Sequence, residues 1–226
     1  MESKIAVSEV YKCLQGEVPC GVPIVLCRIS GCNLDCVYCD SFYHKKPTWH
    51  LTPNELISKI VSLARNKVDQ ILFSGGEVVR VQGLMMEVCL RLHGIFGYFN
   101  SVETNGTIMP SEAFILNIHK WICSPKLKSS GNPKRKRYKP KVLHRLNELG
   151  SIFKFVVCNE EEDLKEIEHI IGAIKIPRHH VYLMPEGVTR EKILVALPKL
   201  TQICLERGFN LSPRLHVLTF GNKRGV

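Results

Sequence analysis

Nowhere in the 226 residues is there an apolar run near the roughly 18 residues that a membrane-spanning helix needs. The opening MESKIAVSEV has no basic stretch leading into an apolar core either. Neither a membrane span nor an export leader is expected, and the cytoplasm is the expected compartment. No internal repeat is visible, which excludes a solenoid. Acids are the deficient charge: 21 Asp and Glu stand against 31 Lys and Arg, a net charge of +10, so an anionic ligand or partner fits better than a cationic one.

What is present is an ordinary apolar share of 45%, enough for one buried core, and the chain reads as a single domain over 1–226. Ten cysteines would suit a disulfide framework in a short secreted chain, but here three cluster and seven are scattered. Cys13, Cys20, Cys27, Cys89, Cys123, Cys158 and Cys204 are expected to be buried free thiols acting as small hydrophobes. Eight of the basic residues fall in 124–141, SPKLKSSGNPKRKRYKPK, which contains no acid and is expected to form a solvated basic loop over 126–141.

β-Branched runs alternate with amphipathic stretches, the pattern of βα units on a parallel sheet. Strands are expected over 23–29, 70–74, 98–104, 120–124, 152–158 and 181–185, with a last one near 215–219. Helices are expected from the capping box at Thr52 to about Arg65, over 84–92, from Pro110, over 141–149, over 160–174 and over 189–207. This amounts to about six repeats. The unusual residues fall after the strands: GCNLDCVYCD, SGGE, ETNG, SPK and MPEG. Functional groups in such folds gather at that edge.

The first of these loops, expected to extend over 31–52, holds Cys32, Cys36 and Cys39. Structural zinc takes four ligands, and no matching second pair follows, although His44 and His50 are available. A redox pair of Cys36 and Cys39 would leave Cys32 unexplained. A [4Fe-4S] cluster held by three thiolates accounts for all three and leaves one iron open.

This spacing, three residues then two with Tyr38 before Cys39, resembles the cluster loop of the radical S-adenosylmethionine superfamily. The stretch CLQGEVPCGVPIVLCRISGCNLDCVYCDS resembles the opening of the 7-carboxy-7-deazaguanine synthase family, and the resemblance resumes at SPKLKSSG, FKFVV, LMPEG and SPRLHVLTFGNKRGV. It implies an incomplete TIM-like βα barrel with about six parallel strands. It further implies a [4Fe-4S] cluster, S-adenosylmethionine and Mg2+ as cofactors, and the ring contraction of 6-carboxy-5,6,7,8-tetrahydropterin with loss of ammonia. A homodimer and an electron donor such as flavodoxin or ferredoxin are implied as partners, with direct nucleic-acid binding not expected.

By motif, the resemblance implies that Leu14, Gln15, Gly16, Glu17, Arg28, Ser74 and the C-terminal Val226 meet the pterin, with Arg28 on its carboxylate and His216 a further candidate. It implies that Tyr38, Gly76, Glu77, Glu103, Asn105, Ser124, Pro125, Lys126, Met184, Pro185, Glu186 and Gly187 hold S-adenosylmethionine, and that Ser41 binds magnesium. Ser41 stands where the family pattern has threonine, and Val18 and Val78 where it has glycine and proline. A glycyl-radical enzyme activating protein would share the cysteine spacing and GGE but would not need LQGE or the SPRL tail. A basic RNA-binding protein with a structural metal is the reading from a different class, against which Tyr138 is the lone aromatic in the basic run.

Overall fold

The computed structural model describes residues 3–41, 45–65 and 67–226. Part of the expected cluster loop, including His44, lies outside the described residues.

The described residues form one nine-stranded sheet in the order β3-β1-β2-β4-β5-β6-β7-β8-β9. The strands are β1 (Ile5–Leu14), β2 (Pro23–Ile29), β3 (Trp49–Leu51), β4 (Gln70–Gly75), β5 (Phe99–Thr104), β6 (Lys120–Cys123), β7 (Ile152–Val157), β8 (Val181–Pro185) and β9 (Asn210–Leu211). From β2 to β9 neighbours pair parallel, whereas β1 pairs antiparallel with β2 and β3. The sheet is not closed into a barrel. The helices are α1 (Pro53–Ala64), α2 (Gln82–Phe96), α3 (Glu112–Ile115), α4 (Lys134–Arg137), α5 (Pro140–Glu148), α6 (Glu160–Ile174), α7 (Arg190–Arg207) and α8 (Leu215–Phe220).

Local chemistry explains the helix starts. Thr52 Oγ1 accepts from Glu55 N at 3.3 Å while the Glu55 carboxylate accepts from Thr52 N at 2.8 Å, the reciprocal capping box, with Pro53 at the first helical position. Asn159 caps α6, and its first turn carries Glu160, Glu161, Glu162 and Asp163, where negative charge favours the helix dipole.

Period-two alternation divides the sheet into two faces. Val25, Cys27, Ile71, Phe73, Val102, Cys123, Phe153 and Phe155 join the main core under the helices. Their neighbours on the opposite face begin as a small apolar cluster, Ile24, Leu26, Leu72 and Ile122. Toward the carboxyl ends of the strands that same face turns polar, with Arg28, Ser74, Glu103, Ser124 and Lys154. The parallel register sets Arg28 opposite Ser74.

Four expectations need correction. Residues 215–219 form a helix, not a strand: the apolar alternation of LHVLT suggested β structure, but Leu218 N bonds to Arg214 O and the segment packs as α8 on Gly16. The antiparallel β1 and β3 were not anticipated. The segment 126–141 is no loose loop, because it contains α4 and the start of α5. Of the scattered thiols, Cys27, Cys89, Cys123 and Cys204 are buried, but Cys20 in the β1–β2 turn and Cys158 beyond β7 are exposed and Cys13 is half-buried.

Candidate active site

Two cavities open side by side on the polar face. The first, about 160 Å3, is bounded by β1, β2, α8 and the C-terminal residues. Leu14, Gln15, Gly16, Glu17, Arg28, Ser74, His216 and Val226 all line it, as do Glu9, Tyr11 and Arg224. The second, about 140 Å3, is bounded by Cys32, Cys36 and Cys39 at one side and by the ends of β4 to β8 at the other. Tyr38, Gly76, Asn105, Ser124, Lys126, Met184 and Glu186 line it. Glu17, Arg28, Asp40, Ser41, Ser74, Glu103 and Arg214 line both and form the wall between them.

That wall is an ion-pair network. Lys154, 3% exposed, pairs with both Glu17 and Glu103, and Ser74 Oγ donates to Glu103 Oε2 at 2.7 Å. Arg214, 4% exposed, pairs with Asp40 and lies 3.8 Å from Glu17. Burial alone would raise the Glu17 carboxyl, but Lys154, Arg214 and His216 outweigh it and hold the group well below its ordinary value. Asp40 is lowered in the same way, burial being overcome chiefly by Arg214. Lys154 is raised: burial opposes its charge, and Glu103 and Glu17 more than restore it.

Arg28 projects from β2 with its Nε 3.2 Å from Glu9 Oε2 and its Nη1 donating to Ser41 Oγ at 3.0 Å. Glu9 also accepts from Arg224 Nε at 2.9 Å, which ties the C-terminal tail to the first cavity. His216 is lowered, by burial first and by Arg214 and Arg28, against the pull of Glu17 and Asp40.

Two glycines are required by close approach. A Cβ on Gly76 would lie 2.0 Å from Gly31 O, because the end of β4 packs directly on the start of the cluster loop. On Gly16 it would lie 2.1 Å from His216 Nδ1, because α8 seats there and Leu215 N donates to Gly16 O at 2.7 Å.

Other expected residues act on the backbone. Glu77 is fully buried and accepts from Val79 N, Thr104 Oγ1 and Asn105 N at 2.7–3.0 Å, so it fixes the end of β5 and does not line the cavity. Pro125, Pro185 and Gly187 do not line it either; Gly187 O instead accepts from Arg214 Nη1 at 2.6 Å. Gln15 turns its amide into its own hairpin, donating to Val18 O and accepting from Glu17 N.

The cysteine loop suits a thiolate-held cluster. Cys32 Sγ accepts from Leu34 N at 3.4 Å and from Asn105 Nδ2 at 3.8 Å, and Cys36 Sγ from Asn132 Nδ2 at 3.2 Å. Such donors stabilise the anionic sulfur and tune a cluster's potential. All three cysteines line the second cavity. His50 lies exposed on β3.

Magnesium at Ser41 is a different matter. Ser41 and Asp40 offer the oxygen atoms a hard dication takes, but Ser41 Oγ is occupied by Arg28 and Asp40 by Arg214. Ser41 Oγ also donates to Asp40 Oδ1 at 3.1 Å, so a dication held here would have to displace the two guanidinium groups.

Sequence reasoning passed over Lys154, Asp40, Arg214 and Glu9. The signal for Lys154 was legible: a lysine between two phenylalanines in a buried strand needs partners.

A family model described as the Radical SAM superfamily matches residues 26–119, from within β2 to the residue before β6. The chain is 32% identical to the 7-carboxy-7-deazaguanine synthase of Pyrobaculum aerophilum over 98% of this chain and 97% of that one. The chain belongs to the 7-carboxy-7-deazaguanine synthase family. The homologue of the same name from Rhodopirellula baltica is 30% identical, covering all of this chain and 90% of its own. In fold, the chain is similar to QueE from Escherichia coli, with a TM-score of 0.70 at 19% identity over 92% of this chain and 93% of that one. Streptococcus suis SuiB bound to S-adenosylmethionine shares the fold at a TM-score of 0.55 and 14% identity, over 80% of this chain and 44% of its own. Membership brings the [4Fe-4S] cluster and S-adenosylmethionine as cofactors, and a radical enzyme of 7-deazapurine biosynthesis acting on a small molecule. A glycyl-radical activating protein is not favoured. No helix of the described residues is long and apolar enough to cross a membrane.

Proposed function

We propose that this chain converts 6-carboxy-5,6,7,8-tetrahydropterin to 7-carboxy-7-deazaguanine, with loss of ammonia, in the first cavity. The observation that carries this reading is the wall shared by the two cavities: whatever is generated beside the cysteine loop meets a ligand in the first cavity across Glu17, Ser74 and Glu103. The cluster and S-adenosylmethionine would supply a carbon radical that abstracts a hydrogen atom.

The chain's own residues position and shield the reaction. Arg28 offers a planar fork to the substrate carboxylate in exchange for its present partner Glu9. Glu17, kept ionised by Lys154 and Arg214, accepts hydrogen bonds from the amino and ring N–H groups of a pterin. Val226 and the tail line the first cavity, held by the Arg224 pair to Glu9. Cys32, Cys36 and Cys39 would hold the cluster, and Tyr38, Gly76, Asn105, Ser124, Lys126, Met184 and Glu186 would line the nucleoside. Ser41 serves to hold Arg28 and is given no metal step. A cytoplasmic homodimer that does not bind nucleic acid directly completes the proposal.

The test is anaerobic incubation of the reconstituted, reduced protein with S-adenosylmethionine and the pterin, followed by mass spectrometry. 7-Carboxy-7-deazaguanine is expected. 5'-Deoxyadenosine without that product, at any substrate concentration, would overturn the substrate assignment.

A further inference from the structure

Arg214 enters α8 with φ 55° and ψ 56°, left-handed backbone that a residue other than glycine adopts only where its surroundings hold it. Leu215 N donates to Gly16 O at 2.7 Å, so this turn is seated on the loop that carries Glu17. The arginine side chain, 4% exposed, spans three segments of the site. Nη1 donates to Gly187 O at 2.6 Å beyond β8, Nη2 pairs with Asp40 beyond the last clustered cysteine, and Nε lies 3.8 Å from Glu17 Oε1. That last distance is too long for a hydrogen bond, and among the described residues Nε has no hydrogen-bond partner.

A buried guanidinium N–H without an acceptor is costly, so this atom marks a place for one. The two Nη contacts fix the plane of the fork, and with it the direction in which Nε donates. Arg214 and Glu17 line both cavities. Side by side they present one donor and one carboxylate acceptor. A ring that carries an N–H next to a carbonyl oxygen satisfies both at once, and a pyrimidinone has that edge.

We propose that Arg214 Nε donates to the 4-oxo oxygen of the pterin in the first cavity while Glu17 accepts from the adjacent ring N–H, so that this pair selects the ring by its hydrogen-bonding edge. The inference rests on the proposed function, which places the pterin there. A ring with an amino group in place of the 4-oxo oxygen reverses the pattern. It turns an N–H toward Arg214 and an unprotonated ring nitrogen toward Glu17, leaving both buried groups unpaired, and sites built on such bonds reject the wrong partner strongly. Lysine cannot take the role: one ammonium can hold Asp40 or reach the ligand, but it lacks the rigid fork that does both.

The experiment measures anaerobic binding to the reconstituted, unreduced holoprotein of three ligands: 6-carboxytetrahydropterin, its 4-amino analogue, and its 2-oxo analogue, which differs only on the side read by Glu17. The wild type is compared with Arg214→Lys, which keeps a positive charge, and with Arg214→Gly, which removes the side chain while suiting the left-handed backbone. In both variants the preference for the pterin over the 4-amino analogue is expected to fall on the order of 10- to 150-fold, the worth of one charged hydrogen bond. The preference over the 2-oxo analogue is expected to persist. An undiminished 4-amino preference in both variants would overturn the proposal, and equal loss of the two preferences would reduce Arg214 to a structural prop. Loss of S-adenosylmethionine affinity with the pterin preference intact would also overturn it, by assigning the donor to the cofactor. A wild type that binds none of the three ligands would instead remove the proposed function on which the inference stands.

Discussion

Lys154 is ion-paired with Glu103 in the wall between the two cavities, and the same ammonium pairs with Glu17 from the opposite side. A single buried cation thus neutralises two carboxylates that face both ligands. It comes from β7, where the flanking side chains of Phe153 and Phe155 are fully buried under the helices.

Lys154→Met should be among the most damaging single changes. Leaving a buried charge without its partner costs about 3–5 kcal/mol. The pH dependence follows from the signs. Glu17 is held below its ordinary value, so its stabilising contribution is complete above about pH 5 and lost as the pH falls toward its folded value. Lys154 is held above its ordinary value, so its contribution is complete below about pH 10 and lost only above. The wild-type pair of Glu17 and Lys154 is level across neutral pH, whereas Lys154→Met should become more stable from about pH 8 to 5, as Glu17 loses the largest cause that opposes its burial and takes a proton. Urea midpoints across that range check this; parallel profiles for the two proteins would contradict it.

Arg28→Ala should separate the two halves of the reaction. S-adenosylmethionine cleavage without substrate is expected to persist, while kcat/KM for the pterin falls roughly 10- to 150-fold, the equivalent of about 1.5–3 kcal/mol for a charged hydrogen bond. Equal losses in both assays would place Arg28 with the cofactor instead.

Ser41→Ala should raise the KM for the pterin by releasing the Arg28 fork, and leave the magnesium concentration for half-maximal activity where it is in the wild type. A rise of tenfold or more in that concentration would make Ser41 a metal ligand.

Gly16→Ala forces the β1–β2 turn away from His216 and should loosen α8 and the tail. Overpacking of this kind costs about 1–3 kcal/mol. Hydrogen exchange over 214–226 should accelerate and the KM for the pterin should rise, with thiol reactivity of Cys32, Cys36 and Cys39 unchanged.

Much of this was legible in the sequence because the physics is local. The capping box at Thr52 and Glu55 fixed the start of α1, and the acids that open the segment 160–174 marked α6. The cysteine spacing and the strand-end loops located the second cavity. What escaped notice depends on the tertiary structure. LHVLT alternates like a strand and is a helix because Gly16 provides a seat for it. Gln15, Glu77 and Gly187 sit in motifs, but their polar groups go to backbone or to Arg214. Asp40 and Arg214 are 174 residues apart in the chain, and no periodicity announces that they meet.

The central claim is that the two cavities form one reaction site. It is tested most directly with 6-carboxytetrahydropterin deuterated on its reduced ring, incubated anaerobically with the reduced holoprotein and S-adenosylmethionine, with both products read by mass spectrometry. Deuterium in 5'-deoxyadenosine alongside newly formed 7-carboxy-7-deazaguanine is the predicted result. 5'-Deoxyadenosine that carries no deuterium, with the pterin recovered intact, would contradict it.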